Sequence, residues 1–292
     1  MRLHAFELNA PLPQLREPHA LAMLHPWIDV GNVGTMLLSR LEGMFGARQL
    51  GRMARPGNFF DFTRYRPSIY YENGNRKLAV PNATVSYAQR QSGNDLLFLH
   101  LLEPHMLGEV YANSIVRLLQ LFNVKSYFLV GSMYDIVPHT RPLLVTGGSA
   151  TKQISEHLAK TGVQSSNYQG PTTITYLVTQ KAAELGMEST SVIAHLPQYL
   201  PLEEDYTGLV KLMEVFSPIY DFSVDKRDVE KAESQRSETD LAVSRDPKLK
   251  AYVSQLETYY EERLKKQQDQ KPRLSPKVED FLKDIENRFR QN

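Results

Sequence analysis

The 292-residue sequence contains no cysteine, which removes disulfides, thiolate nucleophiles and cysteine-ligated metals together. It also lacks a surplus of either charge. Its 34 Lys and Arg face 33 Asp and Glu, a net charge of +1, so nothing overall points to nucleic acid or an anionic membrane as a partner. No apolar run approaches the roughly 20 residues of a membrane helix. The opening Met1-Arg2-Leu3-His4-Ala5-Phe6-Glu7 has neither the charged nor the apolar region of a signal peptide. A soluble, cytoplasmic protein is the expectation. With 41% hydrophobic and 23% charged residues, the chain is long enough for a substantial core in one large domain or two modest ones.

What is present is organised around His25 to Phe45. Ala20 to Leu24 is apolar and short, as a buried strand is. Val33, Met36, Leu37, Leu41, Met44 and Phe45 recur at the spacing of one helical face. Between them Gly31-Asn32-Val33-Gly34 reads as a glycine turn, with Asn32 placed to cap the helix. In α/β proteins such a junction sits at the carboxyl end of a strand, where ligands bind.

Further along, Asn73-Gly74 between Ile69-Tyr70-Tyr71 and Lys77-Leu78-Ala79-Val80 predicts a hairpin, because both turn residues need positive φ. Trp27 and the tyrosines from Tyr65 to Tyr87 have the composition of a groove lining, but aromatic hairpins usually just pack, and packing is the expectation. Asp95 to Leu102, Ser126 to Val130, Pro142 to Thr146 and Ser191 to His195 are short apolar runs. They alternate with helical patterns at Gly108 to Phe122, Ala150 to Lys160, Pro171 to Gly186 and Tyr206 to Phe216. That alternation predicts a mainly parallel sheet with helices on both faces, a three-layer α/β/α sandwich.

Beyond Phe222 the composition changes: 31 of the 67 charged residues fall in the last 70 positions, which places a boundary there. Leu249, Tyr252, Val253, Leu256, Tyr259, Tyr260 and Leu264 form one helical stripe; Val278, Phe281, Leu282, Ile285 and Phe289, started by Ser275-Pro276, form another. The expected organisation is an α/β/α domain over 1–222 and a helical region over 223–292. The stripes are to be buried on that domain, another subunit or a partner.

Two helix entrances carry candidate ligand chemistry, since free backbone N–H groups there attract anions. One is Gly31, Asn32, Val33, Gly34 and Thr35; the other is Gly147, Gly148, Ser149 and Thr151. If they face one another, they make a polar pocket for a nucleotide or phosphorylated metabolite. Neither has the Lys of a P-loop or the full dinucleotide fingerprint, and close strand-to-helix packing needs the same glycines. His100, Glu103, His105 and Glu109 straddle Pro104 and need not converge, so no metal site is assigned. Asp135 and His139 with Ser132 have the residue types of a hydrolytic triad. The surrounding Val130-Gly131-Ser132-Met133-Tyr134 lacks the second glycine of a nucleophile elbow, and a hydrogen-bonded loop is the expected role. No catalytic residue and no cofactor is assigned.

With these residues in view, the chain resembles the proteasome assembly chaperone 2 family. The resemblance rests on His25-Pro26-Trp27 with Gly31-Asn32-Val33-Gly34, Leu97-Phe98-Leu99 with Glu103-Pro104, Val130-Gly131 and Gly147-Gly148-Ser149-Ala150-Thr151. Tyr168-Gln169-Gly170-Pro171 and His195-Leu196-Pro197-Gln198-Tyr199 complete the ordered set, which covers about Leu21 to Tyr220. It implies a fold similar to the nucleoside phosphorylase and hydrolase architecture, and a binding or assembly role without established catalysis. Some relatives dock on the proteasome through a hydrophobic-Tyr-X tail. This sequence ends Phe289-Arg290-Gln291-Asn292, so docking by that route is not expected. The function expected is that of a non-enzymatic binding protein with protein partners, of the assembly-chaperone kind and homo-oligomeric, for instance a trimer. The alternative is a small-ligand binder or hydrolase-like enzyme using the pocket at the strand ends.

Overall fold

A computed structural model describes residues 1–149, 152–166 and 168–269. The chain divides into two compact units, Met1–Ala242 and Val243–Asn292. In the first, strands β1 (Arg2–Leu3), β2 (Phe6–Leu8), β3 (His19–His25), β4 (Arg48–Met53), β7 (Thr84–Ala88), β8 (Leu96–Leu102), β9 (Ser126–Asp135), β10 (Val145–Ser149), β11 (Gln164–Ser165) and β12 (Glu188–Pro197) form one ten-stranded sheet. Its order is β1-β2-β4-β7-β8-β3-β9-β12-β10-β11. A separate hairpin pairs β5 (Ser68–Glu72) with β6 (Asn75–Ala79).

The sheet is mixed rather than mainly parallel. The central β8, β3, β9 and β12 run parallel to one another, as do β10 and β11 at one edge, while β1, β2, β4 and β7 form an antiparallel wing. On the other side β10 runs antiparallel to β12. The four parallel strands are the continuous apolar runs, as expected where both faces are covered. Alternation along them feeds two layers. Leu97, Leu99 and Leu101 point to one core with Tyr111 and Tyr127. Leu96 and Phe98 point to the other with Leu37, Phe128 and Phe216.

Helices α2 (Gly108–Leu121) and α4 (Ile174–Glu184) supply the first layer; α1 (Val33–Phe45), α3 (Lys152–Lys160) and α5 (Tyr206–Tyr220) supply the second. This is the expected three-layer arrangement. One helix start differs from expectation. The helix read as beginning at Pro171 begins at Ile174 behind Thr173, because a proline ring fixes its own φ but does not force the following residues into a turn. Its predicted stop holds: Gly186 sits just past the end at φ +77°, the left-handed position that favours glycine. The α3 start at Ala150 and Thr151 lies outside the described residues.

Helix α6 (Lys226–Arg245) belongs to this unit as far as Ala242, and its ties there are polar. Arg40 on α1 grips Asp228 bidentately at 2.8 and 2.9 Å. Gln235 accepts the Tyr206 N–H at 2.9 Å and donates to the Glu204 carbonyl at 2.7 Å. Lys231 lies 4.4 Å from the Tyr206 ring centroid. Asp228 is buried, so removing its cation strands a carboxylate. Arg40→Leu is expected to cost roughly 2 kcal/mol, below the full cost of breaking a buried pair because the Arg40 side chain is partly solvated. Hydrogen exchange over residues 226–242 should accelerate before that of the sheet.

The second unit contributes α7 (Pro247–Asp269), which carries the first of the two expected stripes. The second stripe, Val278 to Phe289, lies outside the described residues.

Candidate functional site

The parallel strands end at a common rim, and the segments singled out from sequence can be placed on it. After β3 the chain turns through Pro26 to Asp29, and Gly31 takes φ +59°. A Cβ there would lie 2.7 Å from the Asp205 Cβ, while the Gly31 carbonyl accepts the Asp205 N–H at 2.9 Å. A Cβ on Gly34 would lie 3.1 Å from both Asp29 Oδ1 and Met23 Cβ. These two glycines therefore let the start of α1 sit directly on the sheet and against the loop before α5.

Asn32 does not cap α1 with its side chain. It adopts φ 51°, and its amide donates across to the Glu203 carbonyl at 3.0 Å. The cap is Asp29, one 3₁₀ turn earlier and buried. Its Oδ1 accepts the Thr35 N–H at 3.0 Å and its Oδ2 accepts the Thr35 hydroxyl at 2.6 Å, with His25 Nδ1 at 3.2 Å. The place an external anion would take at this helix start is filled by the protein's own carboxylate.

Nor do the two predicted entrances face each other. Gly31 lies against Leu196, at the carboxyl end of β12. Gly147, Gly148 and Ser149 are inside β10, opposite Val192, Ser191 and Thr190. Because β10 runs against β12, its glycines travel away from the rim, about 3.3 Å per residue. The shared pocket expected from sequence is thus not formed among Gly31, Asn32, Val33, Gly34, Thr35, Gly147, Gly148 and Ser149; Thr151 lies outside the described residues.

The residues weighed for catalysis are likewise engaged internally. Ser132 is fully buried; its hydroxyl donates to the Val30 carbonyl at 2.5 Å and its N–H to the Ile28 carbonyl at 2.9 Å. Asp135 turns to His195, which the sequence had offered only as part of a family pattern. His195 Nδ1 lies 2.8 Å from Asp135 Oδ2, and its Nε2 lies 2.7 Å from Thr146 Oγ1. If Nδ1–H donates to the carboxylate, Nε2 accepts the threonine proton. A histidine closing the otherwise apolar run Ser191 to His195 is the signal in the sequence by which this array could have been found. His139 pairs with the Tyr199 hydroxyl and, at 3.0 Å, with Asp240 on α6. Asp205 caps α5 by accepting the Gly208 N–H at 2.8 Å, and burial pushes its carboxyl above the usual range.

The metal candidates separate. His100 meets Glu42 on α1 at 3.0 Å, while His105 accepts the Asp61 N–H and lies edge-on to Tyr65. Burial pushes the Glu103 carboxyl up. At Glu42 burial also pushes up, but hydrogen bonds from His100 and Ser86 prevail and hold it below the usual carboxylate range.

Between the rim and α6 is a cavity of about 90 Å³ bordered by His139, Leu143, Leu200, Leu202, Gln235 and Thr239. Pockets for cofactors and metabolites run to about 300–1,000 Å³, so it holds a few waters rather than a nucleotide. What the rim exposes is apolar: Trp27 is 62% accessible, and Met106, Leu107 and Val110 at the start of α2 are about half so. Packing is overturned for Trp27, Tyr70 and Tyr71, since Trp27 and every residue of β5 and β6 are exposed, while Tyr65 and Tyr87 pack against the core as expected. Among the described residues no helix is long and apolar enough to cross a membrane.

Several solved structures share the fold. A protein of unknown function from Corynebacterium glutamicum matches with TM-score 0.78 at 19% identity, over 90% of this chain and 99% of its own. One of unknown function from Mycobacterium tuberculosis gives 0.78 at 21%, over 92% of each chain. A proteasome-assembly chaperone homologue from Mycobacterium tuberculosis gives 0.70 at 21%, over 80% of this chain and 99% of its own. No curated protein matched in sequence. The model of the PAC2 family matches residues 23–241, three quarters of the sequence and every strand after β3, and this chain belongs to that family.

Proposed function

We infer that the protein is a non-enzymatic binding protein that assists assembly of other proteins and works as a homo-oligomer. The observation that carries this reading is the division of labour at the rim. Its polar groups are spent on one another, at Asp29–Thr35, Asp135–His195–Thr146 and Ser132–Val30, while its large apolar side chains face solvent. Exposed apolar patches rimmed by polar residues mark protein interaction sites. The similarity to a proteasome-assembly chaperone homologue supports the same reading. The test is mass measurement of intact complexes purified from the native host with tagged wild type and with Trp27→Asp. A stoichiometric protein partner held by the wild type and lost from the variant is expected. Wild type that retains no partner, or one retained equally by both, overturns the reading.

A second reading, ester or amide hydrolysis, has one observation behind it. Thr146, His195 and Asp135 align as hydroxyl, imidazole and carboxylate, the order of an activated nucleophile. Thr146 and His195 are both buried, which opposes substrate access. Turnover of p-nitrophenyl acetate abolished by His195→Ala would favour this reading over the first.

A further inference from the structure

Along β8 the face turned toward α1 changes from apolar to polar. Leu96 and Phe98 enter the core beneath that helix, and the next residue on the same face is His100. Register places Thr84 opposite His100, and Gln49 opposite Ser86, which is itself opposite Phe98. Cross-strand partners share a face, so His100, Thr84, Ser86 and Gln49 stand together. To them α1 adds Glu42, whose Oε1 accepts the Ser86 hydroxyl and whose Oε2 lies 3.0 Å from His100 Nε2. These five side chains border a groove of about 530 Å³, within the about 300–1,000 Å³ of small-molecule sites. Glu42 and His100 keep 22% and 23% of their side chains accessible, and at Gly43, on the groove wall, a Cβ would meet nothing within 4 Å.

The wall of the groove narrows the chemistry of an occupant. Its carboxylate is held ionised, since Glu42 titrates below the usual range despite partial burial. No Lys or Arg borders the groove; Arg52, next to Thr84 in register, also stands opposite Glu7 on β2. Phosphate would therefore meet an anion with no cation beside it. One imidazole and one carboxylate fall short of the three or four protein ligands of a zinc site, and among the described residues no group of three such ligands gathers. A carboxylate offers about four acceptor positions, of which Ser86 and His100 use two. Among the described residues nothing bonds the Gln49 amide or the Thr84 hydroxyl. Where the rim spends its polar groups on one another, this groove leaves them open.

We propose that the groove binds a small polar amine of the amino-sugar or amino-alcohol class, its ammonium on the open positions of Glu42 and its hydroxyls on Thr84 and Gln49. None of these residues takes part in the rim contacts behind the assembly role, so the two readings stand or fall separately.

The experiment is calorimetric titration of the full chain with glucosamine and with serinol, and with glucose and N-acetylglucosamine as uncharged counterparts. Both amines are expected to bind, and the uncharged sugars to bind at least tenfold more weakly, because the ammonium makes a charge-assisted bond. Glu42→Gln keeps an oxygen for Ser86 and loses the charge; it is expected to weaken amine binding at least tenfold. Gln49→Leu, at an exposed position, is expected to weaken it about threefold to tenfold with the unfolding midpoint unchanged. Should Glu42→Gln fail to fold, Gln49→Leu and Thr84→Val carry the test. No heat of binding from either amine at about 10 mM, uncharged sugars bound as tightly as glucosamine, or folded variants that bind like wild type each overturn the proposal.

Discussion

Replacing Asp29 by alanine is expected to lower the unfolding free energy by about 2–3 kcal/mol, combining a lost helix cap of about 1–2 with a half-buried Thr35 hydroxyl left without this partner at about 1. Asn32→Ala is expected to cost well under half as much. The contrast follows from which residue meets the first turn of α1. The Asp29 carboxylate, itself buried, holds both the backbone and the side chain of Thr35. Asn32 loses one partly exposed hydrogen bond to Glu203. Asp29→Asn should fall between them, because the amide keeps one acceptor oxygen but cannot accept on both sides. Chemical denaturation of the three variants measures the series. Equal losses at positions 29 and 32 would refute the assignment of the cap.

The second large effect is a loss of stability in mild acid centred on His19, which begins β3. Burial, and after it the charge of Arg90, holds its imidazole down at about 4. Around it stand Phe128, Tyr220, whose hydroxyl is 3.2 Å from Nδ1, and Arg90, which donates to the Tyr220 carbonyl at 2.7 Å. The folded state thus binds the proton less readily than the unfolded chain, whose histidine titrates near 6.5. Above pH 6.5 neither form is protonated and the effect is absent. As pH falls from 6.5 to about 4, the unfolded chain alone gains the proton and stability drains away, reaching roughly 3 kcal/mol at pH 4. His19→Gln should flatten that part of the stability profile while lowering the plateau near neutrality by about 1 kcal/mol. A wild-type profile flat between pH 6.5 and 4.5 would show His19 to be solvated.

The sequence was legible where local chemistry decides the structure. The four central strands announced themselves as apolar runs, α1 by its helical stripe, and the hairpin by Asn73-Gly74, whose conformations only a few residues adopt cheaply. It was illegible where a distant neighbour decides. The direction of β10 is not a property of Val145 to Ser149 but of the strand beside it, and reversing it moved Gly147 and Gly148 off the rim. The cap was misplaced because Asn32 is the nearer residue; only the 3₁₀ turn between them brings Asp29 onto the helix axis. The partnership of His195 with Asp135 crosses two strands and 60 residues. The exposure of the hairpin could not be read at all, since an apolar face looks the same whether the chain or another molecule covers it.

The place of β3 in the sheet has a consequence for biosynthesis. It is a central strand, yet its neighbours β8 and β9 begin at Leu96 and Ser126, long after it in translation. At the usual pace of synthesis, about 5–20 residues per second, the nascent chain spends about 4–14 s with Ala20 to Leu24 made and both neighbouring positions empty. During that interval a strand destined for complete burial is an open edge on the ribosome. Until β8 is made, the chain has no strand of its own to shield that edge.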